Sequence, residues 1–392
     1  MQKSHPWRCC AVSACLVCLY GIASAGAANI VGSVLYPLTP VDGYVNEPEF
    51  AAGGQTVGIL DGSGVNSNDA VLWTAAGPID LNPTQIPGIN ISVALGTDGT
   101  QQVGYGAASA LSSTSTAILW TGTAAGAVDL NPADATSSAA IGTNGTQQVG
   151  FATSPSTGGN GHAFMWTGTA GTGVDLNPTN LTGISGSQAV ATDGTQQVGS
   201  GQGSATNNET WAMMWSGSAS TAVLLNPTNL SGYNQSFALG VGGNQQVGWG
   251  FNTILDKDRA LLWTGSAASA VDLTPTNLSG FASSTAYDTN GVNQVGYASG
   301  SATGNNVHAM FWTDTANSAV DLQALLPSTG VWSDSEAYTI DASGNIYGTA
   351  DGIFGGASGG FAVEWSVVPE PAGASMLLIA GAATFMRRRC SK

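Results

Sequence analysis

The chain has 392 residues, of which 24 are acidic and 8 are basic, and its formal net charge is −16. Most of the basic residues lie near the two ends. Between Asp42 and Glu364 there are 23 acidic residues and only Lys257 and Arg259, a net charge of −21. Such a body repels phosphate backbones and anionic membrane surfaces, which excludes nucleic acid as a partner. Only 8% of the residues are charged, and 11 Trp and 10 Phe supply apolar bulk for a core, which argues against a disordered chain.

The first 27 residues have the pattern of an export signal. Lys3 and Arg8 precede an apolar run at 9–22, which is followed by the small residues Ala23, Ala25 and Ala27. A positive region, a short apolar segment and a small-x-small cleavage site predict a signal peptide at 1–27 and therefore an exported protein. All five cysteines lie in the terminal segments, so the body uses neither disulfides nor thiolate ligands.

Three series of residues recur through the body with a period of about 48. One series is the motif Asp-Leu-Asn-Pro, which occurs at 80–83, 129–132 and 175–178 and, with substitutions, at 224–227 and 272–275. A second is a glycine, usually after a valine, at Gly58, Gly104, Gly150, Gly199, Gly248, Gly296 and Gly348. The third is a tryptophan with an alanine three residues before it, and the tryptophans are Trp73, Trp120, Trp166, Trp215, Trp263, Trp312 and Trp365. Seven copies at this period indicate a repeat architecture.

Each repeat predicts four short strands. In the second repeat these are 92–98, 101–105, 116–121 and 127–130, with a tight turn at Gly99-Thr100. Asp-Gly and Asn-Gly pairs, which are strong hairpin signals, recur in other repeats, and no segment of the body has apolar residues at helical spacing. Four strands in about 48 residues favour a β-propeller blade, whereas the coils of a parallel β-helix, the alternative, are much shorter and lack antiparallel turns.

The last repeat predicts how the ring closes. It contains Trp365 but runs into the C-terminal tail without a fourth strand. The missing piece occurs near the N-terminus, where Leu38-Thr39-Pro40 matches Leu273-Thr274-Pro275. We therefore expect an all-β fold, a seven-bladed β-propeller of four-stranded blades at 28–367, closed by the N-terminal strand so that no sheet edge stays open.

The repeats resemble the extracellular HAF repeat family. The signature triplet is complete at His162-Ala163-Phe164 and nearly so at His308-Ala309-Met310, while the other repeats keep the alanine and the tryptophan. The resemblance implies exported, propeller-like bacterial repeats and no known activity.

The C-terminal segment at 368–392 has three parts in order: Val368-Pro369-Glu370-Pro371, an apolar stretch at 372–386, and Arg387, Arg388 and Arg389. Fifteen helical residues reach about 22 Å, which is shorter than the ~30 Å hydrocarbon core, so the predicted transmembrane helix is a short one. These residues resemble the PEP-CTERM sorting tail of Gram-negative bacteria, which is also labelled the C-terminal domain of ice-binding proteins. The resemblance implies an exosortase-type membrane transpeptidase as the processing partner, transient insertion in the inner membrane, and delivery to the cell surface or an exopolysaccharide matrix.

The sequence predicts no catalytic, metal-binding or cofactor-binding residues, no cofactor, and a protein that is not an enzyme. His162 and His308 are the only histidines after the signal peptide, and they fall at the same position of two distant repeats, which does not suit a shared metal. The recurring aspartates are expected to accept hydrogen bonds from backbone amides. The segment Asp61 to Asp69 is rich in Asn and Gly and is a candidate calcium loop.

Two rows of variable residues predict a ligand face on the side of the ring that carries the long loops. One row lies four residues before each tryptophan and the other directly follows each strand-2 glycine. Aromatic rings among neutral polar groups suit a sugar, so we expect a non-catalytic protein that binds glycan or protein on this face. One alternative is a propeller-type lyase or hydrolase that acts on polysaccharide. Another is a structural envelope component whose aromatic side chains only fill gaps between blades. The residues predicted for this face are Tyr105, His162, Trp211, Trp249, Arg259, Tyr297 and His308.

Overall fold

The computed structural model describes residues 29–38, 45–61 and 68–368. The predicted signal peptide and residues 369–392 of the predicted sorting tail lie outside these ranges, as does most of the candidate calcium loop. Within the ranges, no helix is long and apolar enough to cross a membrane. Ile30–Val367 forms one compact unit.

The described strands form seven antiparallel four-stranded sheets. The first strand of the chain, β1 (Asn29–Pro37), belongs to the last sheet. Blade 1 contains β2 (Val45–Ala52), β3 (Gln55–Asp61), β4 (Asn68–Thr74) and β5 (Gly77–Asp80). Blade 2 contains β6 (Ile91–Thr97), β7 (Gln102–Ala107), β8 (Thr116–Trp120) and β9 (Val128–Asp129). Blade 3 contains β10 (Ser137–Thr143), β11 (Gln148–Thr153), β12 (His162–Trp166) and β13 (Val174–Asp175).

The remaining blades repeat this arrangement. Blade 4 contains β14 (Gly186–Thr192), β15 (Gln197–Gln202), β16 (Trp211–Trp215) and β17 (Val223–Leu224). Blade 5 contains β18 (Tyr233–Gly242), β19 (Gln245–Asn252), β20 (Lys257–Trp263) and β21 (Val271–Asp272). Blade 6 contains β22 (Phe281–Thr289), β23 (Gln294–Gly300), β24 (His308–Trp312) and β25 (Val320–Asp321). Blade 7 contains β26 (Val331–Ile340), β27 (Ile346–Phe354) and β28 (Ala357–Val368), and then β1 as its outer strand.

Short 3-10 helices of three residues each lie in the loops of the described chain. They are Ala124–Gly126, Pro155–Thr157, Ala170–Thr172, Ser204–Thr206, Ala219–Thr221, Ala267–Ser269, Ser301–Thr303, Ala316–Ser318 and Gln323–Leu325. The predicted seven-bladed propeller is confirmed, and in the second blade every predicted strand lies within two residues of the observed one.

The core lies between the blades. Trp120 of blade 2 is fully buried and packs with Val57, Leu72 and Leu81 of blade 1. Its indole Nε1 donates to the Leu81 carbonyl oxygen at 2.7 Å. The recurring tryptophan therefore fixes each blade to the one before it. All seven of these tryptophans are at most 1% exposed.

The glycine of the second series is required by close backbone approach. A Cβ added to Gly104 on β7 would lie only 1.9 Å from the carbonyl oxygen of Val93 on β6. No side chain fits at that distance, so the Val-Gly pair marks the point where the two inner strands of a blade are closest.

The Asp-Leu-Asn-Pro motif ties neighbouring blades together, as the first copy shows. Asp80 Oδ1 accepts from the Asn82 amide at 2.7 Å, as predicted for these aspartates. The Asn82 side-chain oxygen accepts from the Ser92 hydroxyl of blade 2 at 2.9 Å, and the same hydroxyl oxygen accepts from the Ala70 amide of blade 1 at 3.1 Å. In blades 2 to 7, one serine on the inner strand thus contacts two groups of the preceding blade.

A belt of glutamine side chains links blades 1 to 6 near the inner hairpin turns. Gln102 Nε2 of blade 2 donates to Gln55 Oε1 of blade 1 at 2.9 Å, and the four following pairs of blades repeat this contact at 2.8–3.1 Å. The acceptors reach across from the turn, while the donors are fully buried on strand 2. In blade 7 the donor position is taken by Ile346, which pairs with Trp365 as Gln294 pairs with Trp312, so the belt ends there.

The seventh blade is closed non-covalently, as predicted. β1 pairs with β28, and the Leu38 amide donates to the Gly360 carbonyl at 2.8 Å. In the other blades the matching leucine amide donates to the alanine three residues before the tryptophan, as Leu81 does to Ala70. The N-terminal strand therefore runs two residues further along its neighbour than the repeat alignment suggests. With nine residues it is also the longest outer strand, which suits a strand that must hold the ring shut without a covalent connection.

Candidate functional site

In blades 3, 5 and 6, the residue four positions before the tryptophan is paired with the motif aspartate of its own blade. His162 Nδ1 lies 2.8 Å from Asp175 Oδ2, and Arg259 Nε lies 2.9 Å from Asp272 Oδ2. His308 follows the same rule in blade 6, where its Nδ1 lies 2.9 Å from the carboxylate of the motif aspartate. Each pair joins strand 3 to strand 4 across thirteen residues of sequence.

These pairs leave little of the basic groups for a ligand. His308 Nε2 also lies 2.9 Å from Gln323 Nε2, so both ring nitrogens have polar neighbours. Arg259 shares its carboxylate with the Tyr233 hydroxyl, which donates to Asp272 Oδ2 at 3.0 Å. Burial and the nearby Asp272 carboxylate raise the pKa of Tyr233 to about 12. These residues hold the outer strands in place, and their predicted role as ligand contacts stays a prediction.

The same position differs in blades 1 and 4. In blade 4 the motif aspartate is replaced by Leu224, and the residue four positions before Trp215 is Trp211, whose Nε1 donates to the Asn234 carbonyl oxygen at 2.9 Å. In blade 1 an acid, Asp69, takes the basic position. Its pKa is raised by burial and by the negative charge of Asp80.

The second predicted row projects from the opposite side of each blade. In blade 3, Phe151 pairs with Ala163 of the next strand, while His162 pairs with Ala152. Directly paired residues share a face and successive residues alternate, so Phe151 and His162 point to opposite neighbours. The structure therefore separates the predicted face into two rows.

The aromatic rings of this second row are half-buried against the inner strands. Trp249 stacks on Phe237 with ring centroids 4.9 Å apart and planes at 21°, and Tyr297 lies 5.5 Å from Tyr287. Burial raises the pKa of Tyr105, with the negative charge of Glu49 as a smaller cause. These rings pack between inner strands and still expose part of their surface.

Blade 4 interrupts this row and opens a pocket. Ser200, which is 3% exposed, stands where the neighbouring blades carry Phe151 and Trp249. The missing ring leaves a pocket of about 390 Å³ at the long-loop ends of blades 3 and 4, which extends to Phe237 of blade 5. Its volume is within the range of small-ligand sites.

The lining of the pocket combines two aromatic rings with neutral hydrogen-bonding groups. The rings are Phe151 and Phe237, and none of the described residues that line the pocket has a charged side chain. The polar side chains are those of Thr153, Asn160, Ser187, Gln188, Ser200, Gln202 and Thr210. Such a surface can stack on an apolar ring face and exchange neutral hydrogen bonds at the same time.

Sequence reasoning did not select this pocket. The sequence does contain an indication of the pocket, because Ser200 is the one small residue in a row that carries large aromatic side chains in the other blades from 2 to 6. Gln188, Gln202 and Phe237 had no such signal, since they come together only when three blades are placed side by side.

In ranges 29–38, 45–61 and 68–368, no group of three or more His, Cys, Asp or Glu side chains is placed to hold a metal ion. The candidate calcium loop depends on residues 62–67, which lie outside the described ranges.

No protein-family model matches the sequence, and a search of curated proteins found no match. Solved structures do match. The chain is similar to the β-propeller domain of the trilobed protease from Pyrococcus furiosus with a TM-score of 0.51 and 7% identity, over 82% of this chain and 95% of that domain. That domain is described as having an open velcro topology, whereas here β1 pairs with β28. The chain is also similar to puromycin hydrolase (TM-score 0.46, 11% identity), over 81% of this chain and 53% of that one.

The likeness to the propeller domain of the trilobed protease corrects one prediction. The chain was expected not to be an enzyme because its propeller lacks a recognisable catalytic motif. That prediction is wrong as drawn, since the propeller to which the chain is similar belongs to a protease, and a propeller ring therefore does not exclude a place in an enzyme. At 7% identity the likeness shows the fold alone and assigns no activity or substrate.

Proposed function

We propose that the chain is an exported protein of a Gram-negative cell surface or extracellular matrix, and that it binds glycan in the pocket between blades 3, 4 and 5. The signal-peptide pattern at 1–27 supports export. The order of Val368-Pro369-Glu370-Pro371, apolar stretch and arginines supports processing by an exosortase-type transpeptidase near Pro369.

The observation that carries the glycan proposal is the composition of the pocket. Phe151 and Phe237 offer two ring faces, and the remaining lining is amide, hydroxyl and backbone. A sugar has apolar C–H faces and neutral hydroxyls, so it can satisfy both kinds of surface. An anionic ligand finds no basic side chain there, and a cationic ligand finds no carboxylate.

The ring supplies a rigid frame for this site. The pocket residues lie on β11, β14, β15 and β18 and on the adjoining loops, and these strands are held by the serine and glutamine contacts between blades. Binding therefore orders few groups beyond the ligand itself, which lowers the entropic cost.

A glycan-array screen of residues 28–368 tests the proposal. We expect retention of neutral or weakly charged oligosaccharides, and we expect Ser200→Trp, which fills the pocket with the ring that its neighbours carry, to abolish it. An array without any specific signal, or equal signal from Ser200→Trp, contradicts the proposal.

A further inference from the structure

The centre of the ring contains a second and larger cavity. It has a volume of about 840 Å³ and is lined by the inner strands near the hairpin turns that join strands 1 and 2. In blades 2 to 6 the inner strand contains a bulge at the same point, and the bulged residue lines the cavity. These residues are Leu95, Ile141, Val190, Leu239 and Tyr287.

This central cavity, which we call the channel, has a wall that is apolar around most of its circumference. Leu95, Ile141, Val190 and Leu239 form an aliphatic arc from blades 2 to 5, and Phe50 and Tyr287 extend it on the two sides. All six are half-buried rather than enclosed, so their free surface faces the channel. An apolar cavity of this size falls in the range that proteins use for small ligands.

Among the described residues that line the channel, aspartates are the acidic side chains and no Lys or Arg is present. Asp98 and Asp193 lie at the hairpin turns, where Oδ1 of each accepts a backbone amide of Gln101 or Gln196 at 2.7 Å. These amide hydrogen bonds hold the two carboxylates in place at the turns. Asp341 lies at the corresponding turn of blade 7 and also lines the channel.

Asp288 places a fourth acidic side chain inside the channel. It takes a position that is Gly96 and Gly142 in blades 2 and 3, next to the bulge. Asp288 Oδ2 accepts the Ile340 amide of blade 7 at 3.1 Å, in place of the belt contact that blade 7 lacks. The group lies deep in the molecule, and the surface that it keeps faces the channel.

We propose that the channel is a binding site for a cationic amphiphile, a molecule with an alkyl or aryl body and an ammonium group. The apolar arc would cover the body, and the aspartates at the turns would attract the ammonium group. The same charge excludes anionic amphiphiles of equal chain length. This site is separate from the glycan pocket, which lies at the long-loop ends of the blades, and it stands or fails independently of it.

Two probes with the same chain and opposite charge test the proposal. We expect octyltrimethylammonium to bind residues 28–368 in a calorimetric titration at concentrations below micelle formation, and octyl sulfate to bind at least about tenfold more weakly. Residues 28–368 contain the whole compact unit and every core cluster. Equal affinity for the two probes, or binding of neither, overturns the proposal.

A matched pair of variants locates the site. Val190→Trp places a large ring in the apolar arc of the channel and should remove binding of octyltrimethylammonium, whereas Ser200→Trp adds a ring in the same blade at the long-loop pocket and should leave it unchanged. The melting temperature of each variant shows that it is folded. Retained binding by folded Val190→Trp overturns the proposal.

A measurement on the unmodified protein keeps the test decisive if Val190→Trp does not fold. Added NaCl screens charges over about 8–10 Å at 0.1–0.15 M. The affinity for octyltrimethylammonium should therefore fall as NaCl is raised, because part of it comes from the aspartates. An affinity that stays constant with salt would show a purely apolar site and overturn the charge selectivity proposed.

Discussion

The Tyr36 hydroxyl of the N-terminal strand lies 3.0 Å from the carbonyl oxygen of Trp73 in blade 1, and 3.0 Å from that of Gly54. Tyr36 is thus part of blade 7 by its backbone and part of blade 1 by its side chain. Leu38 and Tyr36 pack with Leu60, Val71 and Trp73 in one core cluster. The strand that closes the ring is therefore held to blade 7 by its backbone and to blade 1 by its side chains.

Loss of this contact should weaken the closure without abolishing it. Tyr36→Phe keeps the ring and removes the hydroxyl, so we expect a loss of about 1 kcal/mol in the free energy of unfolding. Deleting 30–40 removes the whole outer strand and exposes the edge of β28, and we expect aggregation or a large fall in melting temperature. Thermal melts with light scattering measure both. A deletion variant as soluble and stable as the parent would show that the ring does not depend on its N-terminal strand.

The tryptophans should fall into two classes. Trp263 is fully buried between blades 4 and 5, so Trp263→Ala should cost about 3–5 kcal/mol of stability. Trp211 and Trp249 are half-buried, so their alanine variants should cost less and leave the ring folded. Chemical denaturation of the three variants tests this. Equal losses would mean that the half-buried rings are core residues.

The same contrast shows what the sequence could and could not predict. Trp263 and Gly104 repeat because every blade needs them, so periodicity alone identifies their role. The sequence also shows His162 and Asp175 thirteen residues apart, a spacing that recurs in blades 5 and 6. Their pairing, however, depends on the register between strands 3 and 4. The link between Gln102 and Gln55 spans two blades and becomes apparent only once the ring is assembled, as does the pocket beside Ser200.

Stability should depend on pH through Asp288. Desolvation raises its pKa from the usual 3.8 to about 7, against the opposing effect of two backbone amides. Between about pH 4 and pH 7 the unfolded chain releases this proton while the folded chain keeps it, so the free energy of unfolding falls as the pH rises. Asp288→Asn keeps the acceptor for the Ile340 amide and should lose this part of the dependence.

Other carboxyl groups set the control for that experiment. Burial also raises the pKa of Glu336, which accepts from the Tyr287 hydroxyl at 3.4 Å, so part of the slope should remain in Asp288→Asn. Melting temperatures from pH 4 to pH 8 give the comparison. A variant whose slope matches that of the parent would exclude Asp288 as the titrating group.

Export and sorting should leave a protein shortened at both ends. We expect the mature chain to begin near Gly26 or Ala28 and to end near Pro369, because the signal-peptide and sorting patterns place the cleavage points there. Terminal mass spectrometry of protein released from cells measures both ends. Recovery of intact Arg387, Arg388 and Arg389 on surface material would refute the sorting proposal.

The central claim is that the pocket beside Ser200 binds glycan, and the most direct measurement compares one ring position in two blades. Phe151 lines the pocket, and Tyr105 takes the same strand position in blade 2 outside it. Ring stacking contributes about 0.5–1.5 kcal/mol beyond area burial, so Phe151→Ala should weaken binding of an array-selected oligosaccharide by up to about tenfold. Tyr105→Ala should leave the affinity unchanged in the same calorimetric titration. Equal affinity of Phe151→Ala and the parent, with both folded, would contradict the claim.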